Sequence, residues 1–238
     1  MDALKREIEA YWAGREEKFE ALRLDELKSD KRQRWLEELR RYLPMDRRLE
    51  ILDIGTGTGF FSFLLAAEGH SVTGIDLTPE MIEGARHSAG LLGLNPTFRV
   101  MDAEDPDFAP ERFDAIVTRN LTSFLPNLPE AYARWHRLLR SGGVLINFDG
   151  DYHYDQSDAP LPADHAHKDL TQAQSDAYAH ITSALRAVQQ RRPEWDLTLL
   201  QNAGFRDIRV DRDCYGRIYR EIDRFFNPTP IFCITARK

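Results

Sequence analysis

The stretch Leu49-Glu50-Ile51-Leu52-Asp53-Ile54-Gly55-Thr56-Gly57-Thr58-Gly59 decides the fold prediction. Its first half is a short apolar run, which predicts a buried strand. The closely spaced glycines predict a tight turn, and the apolar run FFSFLLAAEG that follows predicts a helix. Glycines let the backbone approach a ligand closely, and the start of a helix offers unpaired N–H groups. The stretch therefore predicts a ligand-binding strand–turn–helix unit.

The same alternation of short apolar runs and helical stretches continues to the end of the chain. The later strand candidates are SVTGID, TFRVMDA, FDAIVTRN, GGVLINFD, RDIRVD and PIFCITARK. Strands that alternate with helices form a parallel sheet covered on both faces. We predict a Rossmann-like α/β fold whose seven-stranded sheet is mostly parallel, with helices on both faces and an antiparallel last strand.

Two regions lie outside this alternation. Residues 1–48 show only helical periodicity and predict a helical cap built of two helices. Residues 49–238 then form the sheet domain, with an insertion at about 150–180 that is rich in Asp, His, Tyr, Pro and Ala. The cap and the insertion are not needed by the sheet, so we expect both to serve as lids over a site.

Composition excludes several classes of protein. The chain has 238 residues, 42% of them hydrophobic and 30% charged, which is typical of a folded soluble protein. A net charge of −7 argues against nucleic acid as a partner, and the longest apolar run is far too short to span a membrane. Two cysteines and an N-terminus without a signal peptide favour a cytoplasmic protein. The oligomeric state is left open between monomer and homodimer.

Three strand ends carry carboxylates. Asp53 precedes the glycine turn, where it would repel a phosphate and attract an ammonium or sulfonium group. Phe60 stands where a dinucleotide site has its third glycine, which disfavours NAD. Asp76 ends the second strand, where a carboxylate accepts from ribose hydroxyls, and Asp102 ends the third strand at the same edge. The sequence therefore predicts a site for a cationic nucleoside.

With these features the chain resembles the class I S-adenosylmethionine-dependent methyltransferases. The resemblance spans residues 49–149 and is carried by ILDIGTGTG, GIDLTPEMIEGAR, MDAED, FDAIVTRNL and WHRLLRSGGVLINF. It implies S-adenosylmethionine as the cofactor and a small molecule as the second substrate. It also implies that the glycine turn holds the methionine end of the cofactor. The end of the second strand would hold the ribose, the end of the third strand would hold the adenine, and the end of the fourth strand would line the sulfonium region. The residues at these positions are Asp53, Gly55, Thr56, Gly57, Gly59, Asp76, Leu77, Asp102, Ala103, Arg119 and Asn120.

The first predicted helix supplies two further candidates for cofactor binding. Tyr11 would cover the cofactor with an aromatic face, and Arg15 would offer a guanidinium to its carboxylate. The alternative is an amphipathic helix that docks its apolar stripe on the sheet domain, which suits Trp12 and Phe19 at least as well.

The sequence gives fewer indications of the residues that contact the reacting groups. Asn147 is a polar residue inside an apolar strand, so it either satisfies a neighbouring group or reaches the ligand; we expect the ligand. Tyr152 and Tyr178 are the other candidates for catalysis, as rings around a sulfonium. A general base from Asp149, Asp151 or His153 is a further possibility. No metal site is predicted, since the histidines between residues 150 and 180 lack a clear ligand spacing.

Three functions are compatible with these residues. The first is methyl transfer from S-adenosylmethionine to a small molecule, with secondary metabolism as the expected context. The second is an intramolecular cyclisation of the cofactor to azetidine-2-carboxylate and methylthioadenosine, a pattern that looks similar to azetidine-2-carboxylate synthases. The third is a non-catalytic cofactor-binding protein, which the intact Asp53, Asp76 and Asp102 disfavour.

Overall fold

A seven-stranded sheet forms the centre of the computed structural model, which describes residues 3–155, 161–165 and 170–238. The strand order is β3-β2-β1-β4-β5-β7-β6; β7 runs antiparallel to both β5 and β6, and the pairs from β3 to β5 are parallel. This confirms the predicted mostly parallel sheet with an antiparallel last strand. The strands are β1 Glu50–Ile54, β2 Ser71–Asp76, β3 Thr97–Val100, β4 Phe113–Arg119, β5 Leu139–Gly150, β6 Arg206–Asp211 and β7 Ile231–Arg237.

Nine helices occur in the described residues, together with a 3-10 turn at Thr122–Phe124. They are α1 Ala3–Ala13, α2 Glu16–Lys28, α3 Lys31–Arg40, α4 Phe60–Ala67, α5 Pro79–Leu92, α6 Leu128–Leu138, α7 Gln172–Val188, α8 Glu194–Asn202 and α9 Cys214–Ile218. None of them is long and apolar enough to cross a bilayer.

Alternate residues of the strands pack into two separate hydrophobic cores, one on each face of the sheet. Ile51 and Val117 face a core shared with α3, α4 and α9. Leu52 and Ile116 point the other way, into a core shared with α6 and α8. This alternation follows from the period of two in a strand, and it confirms that helices cover both faces of the sheet.

The N-terminal region contains three helices, so the prediction of two was wrong. The missed helix, α2, has the sequence EEKFEALRLDELK, in which acidic and basic residues interrupt any apolar stripe. Its buried residues are Leu22 and Glu26, so one of the positions that face the protein is a carboxylate. Periodicity of apolar residues cannot find a helix whose inner face is charged.

A buried polar network fixes the segment that follows β4. Arg192 is almost fully buried and donates to Asp196 and to the Thr122 hydroxyl. Thr122 in turn donates to Asp149, at 2.5 Å. These hydrogen bonds and the ion pairs of Arg192 with Asp149 and Asp196 hold the buried polar groups together. The network packs beside the ends of β4 and β5, which place residues at the carboxyl edge of the sheet.

Candidate active site

The glycine turn lies at the carboxyl edge of the sheet, between β1 and α4. Gly55 and Gly57 have φ values of +67° and +53°, in the left-handed region that favours glycine. A Cβ at Gly55 would lie 2.8 Å from the Leu121 side chain, whereas one at Gly57 would meet nothing within 4 Å. Gly57 therefore leaves open space above the turn for a ligand to approach the backbone.

Asp53 is buried directly beneath this turn. Its Oδ2 accepts hydrogen bonds from the Thr56 hydroxyl at 2.7 Å and the Ser62 hydroxyl at 2.8 Å. Burial raises the pKa of the Asp53 carboxyl to about 6, and the charge of Asp76 adds to the rise. A cationic ligand group beside it would favour the ionised form and offset the cost of burial.

Asp76 ends β2 and is tied to the same turn. Its two oxygens accept from the backbone N–H groups of Gly57 at 2.9 Å and Thr78 at 3.0 Å. Burial raises the pKa of Asp76, and these hydrogen bonds counteract the rise. The bonds orient the carboxylate at the sheet edge, where vicinal hydroxyls could share its oxygens.

Asp102, just beyond β3, is held by a lysine that the sequence did not single out. Lys5 of α1 donates to Asp102 Oδ2 at 2.7 Å and also contacts Glu104. Burial lowers the pKa of the Lys5 ammonium, but its bonds to Asp102 and Glu104 outweigh burial and raise it. The first helix thus reaches the third strand end of the site directly.

The end of β4 presents Arg119 and Asn120. Asn120 has a φ of +54° and accepts a hydrogen bond at 2.8 Å from the phenol of Tyr152, which itself accepts one at 2.6 Å from Asn227. Burial raises the pKa of Tyr152 well above its ordinary value, so the phenol keeps its proton. Tyr152 therefore links the β4 end of the site to the C-terminal segment.

Aromatic residues of α1 and α7 cover the site. Tyr11 lies 5.7 Å from Tyr178, and Trp12 lies 5.6 Å from Phe124, measured between ring centroids. Burial raises the pKa of Tyr178 to about 12, so this phenol is also protonated at neutral pH. The rings build an apolar wall over the carboxylates of the strand ends.

These groups line one open cavity of about 420 Å³, within the size range of small-molecule sites. It brings together thirteen of the predicted cofactor and catalytic residues. These thirteen are Tyr11, Asp53, Gly55, Thr56, Gly57, Asp76, Leu77, Asp102, Ala103, Arg119, Asn120, Tyr152 and Tyr178.

Three predicted site residues lie outside the cavity lining. Asn147 is fully buried, and its amide donates to the Thr122 hydroxyl at 3.0 Å and the Tyr132 hydroxyl at 3.3 Å. Asn147 therefore satisfies neighbouring polar groups and does not line the cavity. Gly59 is structural too: a Cβ there would lie 2.6 Å from the Phe63 ring.

Arg15 is the third. Its guanidinium donates to the Tyr11 hydroxyl at 2.5 Å and lies 5.0 Å from the centre of the Phe19 ring. The side chain is buried against Tyr11 and does not line the cavity. Its contact with a cofactor carboxylate stays a prediction.

The candidates for a general base also point away. Asp149 accepts from the Ser123 N–H at 3.0 Å, and His153 Nε2 lies 2.7 Å from the Ser123 carbonyl oxygen. Asp151 lies 3.2 Å from Arg191. All three belong to the polar packing under the β4 end and do not line the cavity.

The histidines give no metal centre within the described residues. His165 lines the cavity and lies 2.8 Å from the Phe226 carbonyl oxygen, and His180 pairs with Glu7 on the surface. His167 falls outside the described residues.

Sequence reasoning missed two groups of lining residues. Arg23 enters from α2, the helix that periodicity did not reveal. Tyr219, Phe225, Phe226 and Asn227 enter from the segment before β7. The run RFFNPTP gave a usable signal, because two adjacent aromatics beside prolines in a loop have no strand or helix face to pack on.

Comparison with known proteins agrees with this geometry. Residues 51–143 match the family described as a methyltransferase domain. The chain is 36% identical over 117 residues to phosphatidylethanolamine N-methyltransferase of Cereibacter sphaeroides, covering 48% of this chain and 55% of that protein. It is 40% identical over 118 residues to aklanonic acid methyltransferase of Streptomyces sp. (strain C5), covering 44% and 54%. The chain thus spans about half the length of these relatives.

The fold is shared with solved structures. Phosphoethanolamine N-methyltransferase 2 of Haemonchus contortus, in complex with S-adenosyl-L-methionine, superposes with a TM-score of 0.61 at 20% identity, over 87% of this chain and 52% of that one. Domain match and fold agree with the resemblance drawn from ILDIGTGTG and the motifs after it. Residues 51–143 thus match a methyltransferase domain, and the chain shares the fold of solved methyltransferases.

Proposed function

We propose that this protein transfers the methyl group of S-adenosylmethionine to a small molecule. The observation that carries the proposal is the convergence of Asp53, Asp76 and Asp102 with the glycine turn on one cavity. Three carboxylates from adjacent strand ends suit a cationic nucleoside and would repel the phosphates of a dinucleotide.

Each end of the cofactor has a matching group. Asp76 would accept from the ribose hydroxyls, with Leu77 beside it. Asp102 and Ala103 would hold the adenine. The turn at Gly55, Thr56 and Gly57, together with Asp53, would face the methionine end. Asn120, Arg119 and Tyr11 would complete the methionine and sulfonium region.

When bound, S-adenosylmethionine would supply an electrophilic methyl group on a cationic sulfur. Transfer from such a centre is an in-line displacement, so the protein's contribution is alignment and exclusion of water. The aromatic wall of Tyr11, Trp12 and Tyr178 would shield the reacting groups from water when the cofactor is bound. Tyr152, whose phenol keeps its proton, orients neighbouring groups by hydrogen bonding and does not act as a base.

The context supports a small-molecule acceptor. One relative is named as an aklanonic acid methyltransferase and another as a nocamycin O-methyltransferase, so secondary metabolism is part of the proposal. An excess of acidic residues, 39 against 32 basic ones, argues against a nucleic-acid acceptor. Buried free Cys214 and Cys233 fit a reducing, cytoplasmic compartment.

Product identification tests the reaction. Purified protein is incubated with S-adenosylmethionine alone, and then with a panel of small phenols, enols and amines, and the products are identified by mass spectrometry. Methyl transfer predicts a stable cofactor in the first incubation and S-adenosylhomocysteine with a methylated product in the second. Methylthioadenosine and azetidine-2-carboxylate in the first incubation would instead establish the cyclase reaction. A bound but unreacted cofactor in every incubation would favour a non-catalytic role.

A further inference from the structure

Two arginines and a glutamate form a buried cluster in the wall of the cavity. Glu26 of α2 is fully buried, and its Oε1 accepts from Arg119 Nη2 at 3.0 Å and from the Trp35 indole at 3.0 Å. Its Oε2 contacts Arg23 Nη1 and lies 3.3 Å from Arg119 Nη1. Arg23 and Arg119 both line the cavity.

This cluster carries an excess positive charge. Burial alone would raise the pKa of Glu26, but the guanidiniums of Arg119 and Arg23 hold it below its ordinary value, so the carboxylate is ionised. Two guanidiniums then share one carboxylate. Burial and the charge of Arg119 lower the pKa of Arg23, as expected for a cation with too little compensation.

The nearest other carboxylates pair with other cations and form no ion pair with Arg23 or Arg119 in the described part of the chain. Glu221 contacts Lys31 and Arg34, and Asp164 lies 3.9 Å from Arg224. Lys31 is matched by Asp223, at 2.9 Å between Nζ and Oδ2. Arg224 is matched by Asp25, at 2.9 Å between Nη1 and Oδ2. Arg119 Nε has no hydrogen-bond partner within the described part of the chain. A buried cation without a full set of partners is costly, and a bound anion would remove that cost.

Arg119 and Arg23 lie at a different end of the cavity from Asp76 and Asp102, the carboxylates proposed to contact the nucleoside. In the strand order, β4 is separated from β3 by β1 and β2. Three strand spacings put the ends of β3 and β4 roughly 14 Å apart. The cavity therefore has an acidic end at Asp76 and Asp102 and a basic end at Arg119 and Arg23.

Aromatic rings define the shape of the basic end. The Arg119 guanidinium lies 4.2 Å from the centre of the Trp35 ring and 4.8 Å from that of Phe60. Tyr219 lies beside Arg119 and Arg23 and also lines the cavity. A planar monoanion on an apolar body fits one excess charge among rings better than a phosphate, which carries about two charges.

We propose that Arg23 and Arg119 form a carboxylate-binding site in the reaction cavity. The inference rests on the proposed function. The carboxylate comes from the acceptor or from the amino-acid end of S-adenosylmethionine, and the chemistry of recognition is the same for both sources.

Paired ligands separate these sources in a calorimetric titration. The first pair is S-adenosylmethionine and its decarboxylated form. The second pair is benzoate and benzamide, titrated into protein saturated with S-adenosylhomocysteine. Each is measured with wild type, Arg23→Gln and the control Arg32→Gln, which removes an exposed arginine from α3.

Arg23→Gln should weaken binding of the carboxylate member of one pair about tenfold or more, since charge-assisted hydrogen bonds are lost. The neutral member should change less than about twofold, and Arg32→Gln should leave both unchanged. The pair that responds identifies the source. Arg23→Gln leaves Arg119 and Glu26 as a neutral pair, and Arg23→Lys provides a second variant that keeps the charge and should bind with intermediate affinity.

Equal effects on both members of each pair, or no effect on either pair, would overturn the carboxylate site. If wild type binds S-adenosylmethionine and turns it over, but Arg23→Gln does not weaken either carboxylate ligand more than its neutral partner, the carboxylate site is contradicted and the proposed function stands. If wild type does not bind S-adenosylmethionine, the proposed function fails.

Discussion

Lys5, near the start of the first helix, is ion-paired with Asp102 beyond the third strand, with 2.7 Å between Nζ and Oδ2. The pair places a positively charged lid residue on the carboxylate assigned to adenine. Lys5 also contacts Glu104, so it has a second anion to hold when Asp102 is taken by a ligand. The first helix thus contacts the carboxylates at the nucleoside end of the cavity directly.

Replacing Lys5 with Gln should loosen the lid and free Asp102. We expect the free energy of unfolding to fall by about 1 kcal/mol, as for a partly exposed ion pair. Affinity for S-adenosylmethionine should rise, because the cofactor no longer competes with the ammonium. Calorimetric titration measures this, with Lys28→Gln as a matched control on an exposed lysine of α2. Weaker binding by Lys5→Gln would show that Lys5 holds the cofactor instead of competing with it.

Removing the Asp76 carboxylate should weaken cofactor binding without unfolding the protein. Hydrogen bonds to a charged group contribute about 1.5–3 kcal/mol, so Asp76→Ala should lower affinity roughly 10- to 150-fold. Asp107→Ala, at an exposed aspartate outside the cavity, serves as the control. Unchanged affinity in Asp76→Ala would refute the assignment of this residue to the ribose.

Asp53 should make stability and binding depend on pH in opposite directions. Its pKa is about 6 in the folded protein, above the ordinary value near 3.9 expected after unfolding. The folded state thus binds more protons between about pH 4 and 6, and the contribution of Asp53 to stability falls as pH rises through that window. Affinity for a cationic cofactor should rise over about pH 5–7, as the carboxylate ionises.

Comparison with Asp53→Asn isolates this effect. The free energy of unfolding of wild type relative to the variant should fall by the order of 2 kcal/mol from pH 4 to pH 7. Denaturant titrations at several pH values measure it. A difference that is constant with pH would contradict the raised pKa.

Asn147 provides the opposite case, a polar strand residue with a structural role. Asn147→Ala removes a partner of Thr122 and Tyr132 in a fully buried network. We expect about 1–3 kcal/mol of lost stability and unchanged cofactor affinity of the folded protein. Thermal unfolding and calorimetry together check this, and a loss of affinity with normal stability would restore Asn147 to the ligand site.

The features that could be predicted are those that depend on residues close together in the sequence. Asp53, Asp76 and Asp102 each follow an apolar run, and parallel strands must bring their carboxyl ends to one edge. Their convergence could therefore be inferred without coordinates, as could the glycine turn.

The other wall of the cavity depends on long-range packing. Glu26 and Arg119 are 93 positions apart in the chain, and nothing in the pattern of α2 indicates that its glutamate faces inward. Asn147 looked like a ligand contact because an amide in an apolar strand needs a partner, but that partner, Tyr132, comes from α6. Such pairings are set by how helices pack on the sheet.

Titration of S-adenosylmethionine into the wild-type protein at neutral pH tests the central claim most directly. The cavity with its three strand-end carboxylates predicts saturable binding of one cofactor per chain, displaced competitively by S-adenosylhomocysteine. Absence of saturable binding by a folded sample would contradict the assignment of this cavity.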